Sequence, residues 1–218
     1  AAQSLIKSGG VSLNGKACAK PSQEVAEADK VEITVEQLRY AGRGGLKLEA
    51  ALEQFRLDIN GAECIDIGSS TGGFTDCMLQ HGAAKVFAVD VGRDQLVDFL
   101  RSDPRVVSME QTDIRTAELP QVDFIGTDVS FISLKLILPH IFRLLKSGGR
   151  AVALIKPQFE AGRANLSKKG IVRDERVRLK IRDDIAGFAQ GCGFAVSGMA
   201  PSPITGGDGN VEYLMCLE

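Results

Sequence analysis

Short apolar runs, each long enough for one buried strand, alternate along most of this chain with segments of helical spacing. The runs fall at 64–67, 86–89, 106–109, 124–127 and 151–155. Around them, Leu48, Ala51, Leu52 and Phe55 recur at helical intervals, and helices are expected over 74–79, 95–101, 134–145 and 177–188. Two more strands are expected at 194–199 and 211–217. A strand buried on both faces reads as a continuous apolar run, and strands alternating with helices build a mostly parallel sheet covered on both sides. The expected fold class is therefore α/β. In such sheets ligands bind beyond the carboxyl ends of the strands, where the strand order reverses. Chemistry is to be sought among strand-end residues.

Size and composition narrow the class. A chain of 218 residues, 44% hydrophobic and 25% charged, is globular rather than disordered, with one full domain and a small appendage. It can bury a core without disulfides or metal. No apolar run approaches the ~18–20 residues of a membrane helix. The five cysteines are scattered and never spaced C-x-x-C, and His81 and His140 stand far apart. That pattern reads as reduced thiols with no metal site. Ala1 is followed by no charged-then-apolar leader, so a cytoplasmic protein is expected.

The strand ends carry a consistent set of residues. The run at 64–67 contains Asp66 and leads into Gly68-Ser69-Ser70-Thr71-Gly72-Gly73-Phe74. Glycines let the backbone turn sharply and lie close to a ligand, but this spacing is not the G-x-G-x-x-G that cradles a pyrophosphate. The next strand ends at Asp90, an acid able to accept both hydroxyls of a ribose. Asp128 closes the run at 124–127, and Lys156 closes the run at 151–155, directly before Pro157. Burying a lysine there is costly unless it is paired or functional. Glu212 begins the last strand and reaches the same edge if that strand runs antiparallel.

The first 36 residues differ from the rest. A helix ends at Leu5-Ile6, Gly9-Gly10 breaks it, a strand at 11–13 enters an Asn14-Gly15 turn, and another strand spans 31–35. A glycine-rich linker is expected over 37–45. Charge is also uneven. Between Arg163 and Arg182 eight basic residues face two acids, so this segment carries +6 against a chain total of −2. A basic patch on an acidic body is an electrostatic footprint for a polyanion, although a solvated helix face has the same composition.

Several stretches together are distinctive. Asp66-x-Gly68-x-x-x-Gly72 resembles the S-adenosylmethionine loop of class I methyltransferases. YAGRGGLKLEAAL (40–52), DIGSSTGGFTDC (66–77), AVDVGRDQ (88–95), DVSFISL (128–134), IKPQFE (155–160) and SPITGGDGNVEYL (202–214) resemble, in order, the TlyA family. These are haemolysin-type ribosomal RNA methyltransferases with an FtsJ-like catalytic domain. The resemblance implies a Rossmann-like class I methyltransferase fold with a seven-stranded, mostly parallel sheet over 46–218. It also implies a partial S4-like α+β RNA-binding domain over 1–36, whose first helix would precede this chain.

Further implications are residue by residue. A Lys-Asp-Lys-Glu tetrad falls on Lys47, Asp128, Lys156 and Glu212. S-adenosylmethionine would be held by Asp66, Gly68, Ser69, Ser70, Thr71, Gly72, Gly73, Phe74, Asp90, Val91, Thr112, Asp113 and Asp128. RNA would meet Lys7, Lys16, Lys20, Arg43, Lys168, Lys169, Arg173, Arg176 and Arg178. The implied reaction is 2′-O-methylation of a ribose, a cytidine's, in ribosomal RNA or a ribosomal subunit. Lys156 is the expected general base, which needs a neutral amine. Burial and the nearby Lys47 favour that form, while Asp128 and Glu212 oppose it. Phe131 and Phe159, beside the motifs, are candidates to stack on the nucleotide. The rival reading is a non-catalytic RNA-binding assembly factor, for which the tetrad would be dispensable. A small-molecule methyltransferase is disfavoured by the basic segment, and a pore-forming haemolysin by the lack of any apolar span.

Overall fold

The computed structural model describes residues 6, 11–18, 20, 22–26, 28–33, 39–207 and 209–218. They fall into two compact units, Ala1–Arg39 and Tyr40–Glu218. In the smaller unit, β1 (Val11–Leu13), β2 (Lys16–Ala17) and β3 (Val31–Ile33) form an antiparallel sheet in the order β2-β1-β3. Asn14 and Gly15 turn the β1–β2 hairpin with φ of 51° and 76°, as a two-residue type I′ turn requires. The Asn14 side chain donates to Asp29 Oδ1 at 2.7 Å and accepts from Lys30 N at 2.8 Å, tying the turn to the approach of β3. The helix end expected at Leu5, the break at Gly9-Gly10, residues 34–35 of the expected strand and linker positions 37 and 38 lie outside the described residues.

The larger unit opens with α1 (Gly44–Gln54), which buries Leu48, Ala51 and Leu52 along one stripe. Its strands are β4 (Glu63–Ile67), β5 (Lys85–Val89), β6 (Val106–Met109), β7 (Val122–Thr127), β8 (Leu145–Ile155), β9 (Val196–Pro201) and β10 (Tyr213–Leu217). They form one sheet in the order β6-β5-β4-β7-β8-β10-β9. β10 pairs antiparallel with β8 and β9, and the other pairings are parallel. The chain steps outward from β4 through β5 to β6, then returns to lay β7 on the other side of β4. The order therefore reverses between β4 and β7.

Side-chain alternation sends each strand into two cores. Ile65 and Ile67 of β4, Ala151, Ala153 and Ile155 of β8, and Tyr213 and Met215 of β10 face one core. That core is closed by Leu138, Ile141 and Leu144 of α4 (Leu138–Leu144) and by Ile181, Ile185 and Ala189 of α6 (Glu175–Gly191). Cys64, Val152, Leu154 and Leu214 face the other, closed by α1 and by Phe74, Cys77 and Met78 of α2 (Gly73–Gln80). Leu48 is fully buried there, so truncating it to alanine would cost about 2–5 kcal/mol.

β8 starts at Leu145, six residues before the expected run, and β10 at Tyr213, so Glu212 precedes the last strand instead of beginning it. Three further elements depart from expectation for identifiable reasons. The helix expected over 95–101 shrinks to α3 (Asp98–Arg101). The N–H groups of Asp94, Gln95 and Leu96 instead donate to the Glu110 carboxylate at 2.7–2.9 Å, which holds them out of a helix. The helix expected over 134–145 breaks into a 3₁₀ turn, Leu134–Leu136, and α4. Pro139 sits at the join and has no N–H to continue the ladder. Gly44 and Gly45, expected in a linker, begin α1. A Cβ on Gly45 would overlap the Tyr40 ring, so this glycine permits packing rather than hinging.

Candidate active site

The strand order brings the carboxyl ends of β4, β5, β7 and β8 to one edge. Asp90 follows β5, Asp128 follows β7 and Lys156 follows β8. Tyr213 is the register partner of Ile155 in the antiparallel β8–β10 pair, so the next residues outward, Glu212 and Lys156, leave the sheet at that same edge. Alternation puts Glu212 on the Leu214 face, the face that α1 covers. Lys47 of α1 meets it there.

Lys47, Glu212 and Lys156 are buried, and Asp128 nearly so. Lys47 Nζ donates to Glu212 Oε2 at 2.7 Å and lies 3.6 Å from Asp128 Oδ2. The other oxygen of Asp128 is 2.6 Å from Lys156 Nζ, close enough for a strong ion pair but outside hydrogen-bond alignment. Lys156 Nζ donates to Ser130 Oγ at 2.8 Å, and Gln158 Nε2 to Glu212 Oε1 at 3.3 Å. The two lysines and two carboxylates thus form one alternating network centred on Asp128. Glu160 braces its periphery, accepting from Ser133 Oγ at 2.6 Å and Leu134 N at 2.7 Å. Those bonds lock the 128–134 loop to α5 (Pro157–Glu160), which follows Lys156.

A cavity of about 650 Å³ opens beside the network, lined among others by Gly68, Ser70, Asp90, Val91, Thr112, Asp113 and Asp128. It also meets Phe131, a stacking candidate, and Gly92, Gln95, Ser130 and Ile132, which the sequence reading did not single out. The size lies within the range of about 300–1,000 Å³ usual for small-molecule sites. Gly68, at φ +85°, has the carbonyl oxygen of Asp128 only 2.8 Å from where a Cβ would be, so glycine is needed for the loops to close over β4 and β7. Asp90 spans the loop ends, accepting from Ser70 N at 2.8 Å and Gly92 N at 2.7 Å. The Arg115 guanidinium, 2.6 Å from Asp113, holds that carboxyl down at about 2.

The remaining candidates of the glycine loop stand behind the cavity. Asp66 is fully buried and accepts from Thr75 N at 2.9 Å and Thr75 Oγ1 at 2.7 Å, stapling the first turn of α2 to β4. Burial pushes its carboxyl up to about 7. Gly72 fits against Leu96 and Leu100, Gly73 fits against Gly42 and Gly45, and Phe74 joins the core. Ser69 is buried with its Oγ unpartnered, and Thr71 is exposed.

Among the candidate RNA contacts, Lys16 and Lys20 of the smaller unit and Arg43, Lys168, Lys169, Arg173 and Arg176 of the larger are exposed. Lys7 lies outside the described residues. Arg178 is partly committed, because its Nη1 donates to the carbonyls of Val172 at 3.1 Å and Arg173 at 2.7 Å. Phe131 is 92% exposed with φ of 64°, and its ring centre lies 5.0 Å from that of Phe159. No helix among the described residues is long and apolar enough to cross a membrane.

A sheet of this order with a single reversed strand next to one edge, a glycine loop after the first central strand and an acid after the second defines a class I methyltransferase. An FtsJ-like methyltransferase family model matches residues 40–218. YqxC of Bacillus subtilis is 47% identical across 99% of this chain and 79% of its own length. The Mycobacterium tuberculosis 16S/23S rRNA (cytidine-2′-O)-methyltransferase TlyA is 39% identical across 99% of this chain and 82% of its own. A solved structure of a hemolysin-named protein from Streptococcus thermophilus superposes with a TM-score of 0.85 at 48% identity, covering 99% of this chain and 81% of that one. The chain belongs to the FtsJ-like methyltransferase family, among its TlyA-type members. The methyl donor of this class is S-adenosylmethionine. The cavity fits it in size, in the closely approached Gly68 turn and in the acid that spans the loop ends.

Proposed function

We propose that this chain transfers a methyl group to the 2′-hydroxyl of a ribose, a cytidine's, in ribosomal RNA, acting in the cytoplasm. The activity is the one named for the TlyA relative. The observation that carries the reading is the double role of Asp128. It lines the cofactor cavity and also lies between the two buried lysines, so the acceptor oxygen and the cofactor would share one wall.

S-adenosylmethionine supplies an electrophilic methyl on a sulfonium centre. The rest falls to the chain. Asp90, Asp113 and the backbone of Gly68 and Ser70, all on the cavity wall, would hold the cofactor, Asp90 through the ribose hydroxyls. Lys156 takes the proton of the RNA 2′-hydroxyl at Nζ, and Lys47 offers positive charge to the developing alkoxide. Asp128 and Glu212 orient both amines. A positioned base of this kind is worth about 10²–10⁴-fold. Phe131 stacks on the displaced target base, since an extruded base is commonly read by an aromatic face. Exposed Lys168, Lys169, Arg173 and Arg176 contact phosphates, and the smaller unit, read as a partial S4-like RNA-binding domain, adds Lys16 and Lys20.

The deciding experiment supplies labelled S-adenosylmethionine and ribosomal subunits lacking the modification, then maps the labelled ribose. Wild type labels a 2′-oxygen. Lys156→Ala retains cofactor binding and loses about 10²–10⁴-fold in turnover. Lys156→Arg is nearly as damaging, because a guanidinium does not lose its proton near neutral pH. Unimpaired labelling by the arginine variant would mean that charge alone is required.

A further inference from the structure

Lys156 is held by two neighbours of different kinds. Asp128 Oδ1 attracts it from 2.6 Å but outside hydrogen-bond alignment, so that contact fixes distance rather than direction. Ser130 Oγ, at 2.8 Å, is the one hydrogen-bond acceptor of the amine among the described residues. Lys156 has long, freely rotating torsions in its stem, and an amine on such a stem has no preferred heading of its own. We propose that Ser130 is the positioning residue that aims the Lys156 amine at the RNA 2′-hydroxyl. This rests on the reading of Lys156 as the general base.

The chemistry explains why direction matters. A neutral amine has two N–H bonds and one lone pair. When Nζ takes the proton, an N–H bond forms as the 2′-O–H bond breaks, and the lone pair must point along that line. With one N–H committed to Ser130 Oγ and the Asp128 carboxylate repelling the lone pair from its side, rotation about Cε–Nζ is restricted. The lone pair then keeps a single heading. The backbone supports this arrangement. Ser130 precedes Phe131, whose φ of 64° turns the chain, and Glu160 holds the far end of the same loop through Ser133 and Leu134. The groups facing Lys156 are Asp128 at the end of β7, Ser130 and the Phe159 ring, 5.8 Å from Nζ. Lys47 and Glu212 stand one step behind, across Asp128. Ser130 is exposed, so truncating its side chain leaves no buried cavity.

The test compares Ser130→Ala, Ser130→Thr and Lys156→Ala with wild type, over a range of pH and with saturating cofactor and ribosomal subunits. Ser130→Ala is expected to lower kcat by about 10- to 100-fold, the scale of a misplaced reacting group. With cofactor saturating, the KM for ribosomal subunits stays unchanged, the deficit persists on the alkaline plateau of the pH–rate profile, and Ser130→Thr restores most of the rate. A wild-type kcat in Ser130→Ala would overturn the proposal. So would a deficit confined to KM, or one that vanishes at high pH, which would mean that the hydroxyl tunes proton affinity instead of direction. If Lys156→Ala is inactive while Ser130→Ala is not, only the positioning role fails. If Lys156→Ala keeps the wild-type rate, the base assignment fails and the proposal with it.

Discussion

Lys47 Nζ donates to Glu212 Oε2 across 2.7 Å, joining two buried residues 165 positions apart in the chain. The bond ties α1 to the start of β10 and shuts the network of Asp128 and Lys156 behind it. Removing Glu212 leaves Lys47 and Lys156 to share the single charge of Asp128, and breaking a buried pair typically costs about 3–5 kcal/mol. Glu212→Ala should therefore lower the thermal midpoint clearly as well as abolish methylation. Pairing it with Lys47→Met should recover much of the stability and none of the activity. Melting curves of the single and double variants check this, and a double variant no more stable than the single would show that the pair was not the source.

Cofactor binding should be readable as stability. A ligand bound only by the folded state adds about 2.7 kcal/mol at a hundred times its Kd. S-adenosylmethionine or its demethylated product should thus raise the melting temperature of wild type. Asp90→Ala should lose most of that shift, because Asp90 also joins Ser70 and Gly92 across the mouth of the cavity. NAD should give none. Equal stabilisation by NAD would contradict the assignment of the cavity.

Asp66 links the loop to pH. Burial holds its carboxyl up at about 7 in the folded chain, against an ordinary value of 3.8. Between these values the unfolded chain has already released the proton that the folded chain keeps. Stability is then present at low pH and is lost as pH rises toward 7, with no further change above it. Asp66→Asn keeps an acceptor for Thr75 and has no charge to bury. It should flatten that decline by an amount on the order of 1 kcal/mol or more, since each tenfold change in proton affinity is worth about 1.4 kcal/mol. Urea unfolding at pH 5 and pH 8 measures it, and parallel pH dependences for the two proteins would refute it.

RNA binding should depend on the exposed arginines and not on Arg178, which is engaged with the carbonyls of Val172 and Arg173. Arg173→Glu and Arg176→Glu together should weaken binding to ribosomal subunits and make it less steep in salt, the slope falling by about one for each lost phosphate contact. Cofactor affinity should not change. Filter binding across a salt series gives the slope, and an unaltered slope would assign this helix start to solvent.

Much of the larger unit is legible in the residues themselves. The apolar runs became β4 to β8, with β8 starting six residues early at Leu145, and the polar residues that stop three of them, Asp90, Asp128 and Lys156, ended at the shared edge. What escaped were bonds from distant side chains. Glu110 unwinds the start of the expected helix by taking three backbone N–H groups. Ser130 and Gln158 lie inside recognisable motifs, but nothing in their own type marks them as partners of Lys156 and Glu212. Lys47 sits on an ordinary amphipathic helix, and only the resemblance to a known family singled it out.

The sequence by itself determined which segments are strands, which residues end them and that both faces of the sheet are covered, because these follow from local periodicity and from the cost of burying polar groups. Only the tertiary structure decided that β10 runs antiparallel beside β8, in the register that pairs Tyr213 with Ile155. That register sets Glu212 level with Lys156 and turns it toward α1, and a slip of one residue would turn it to the opposite face. Which face a strand-end side chain takes is a property of the pairing, and the pairing joins parts of the chain that no local pattern connects.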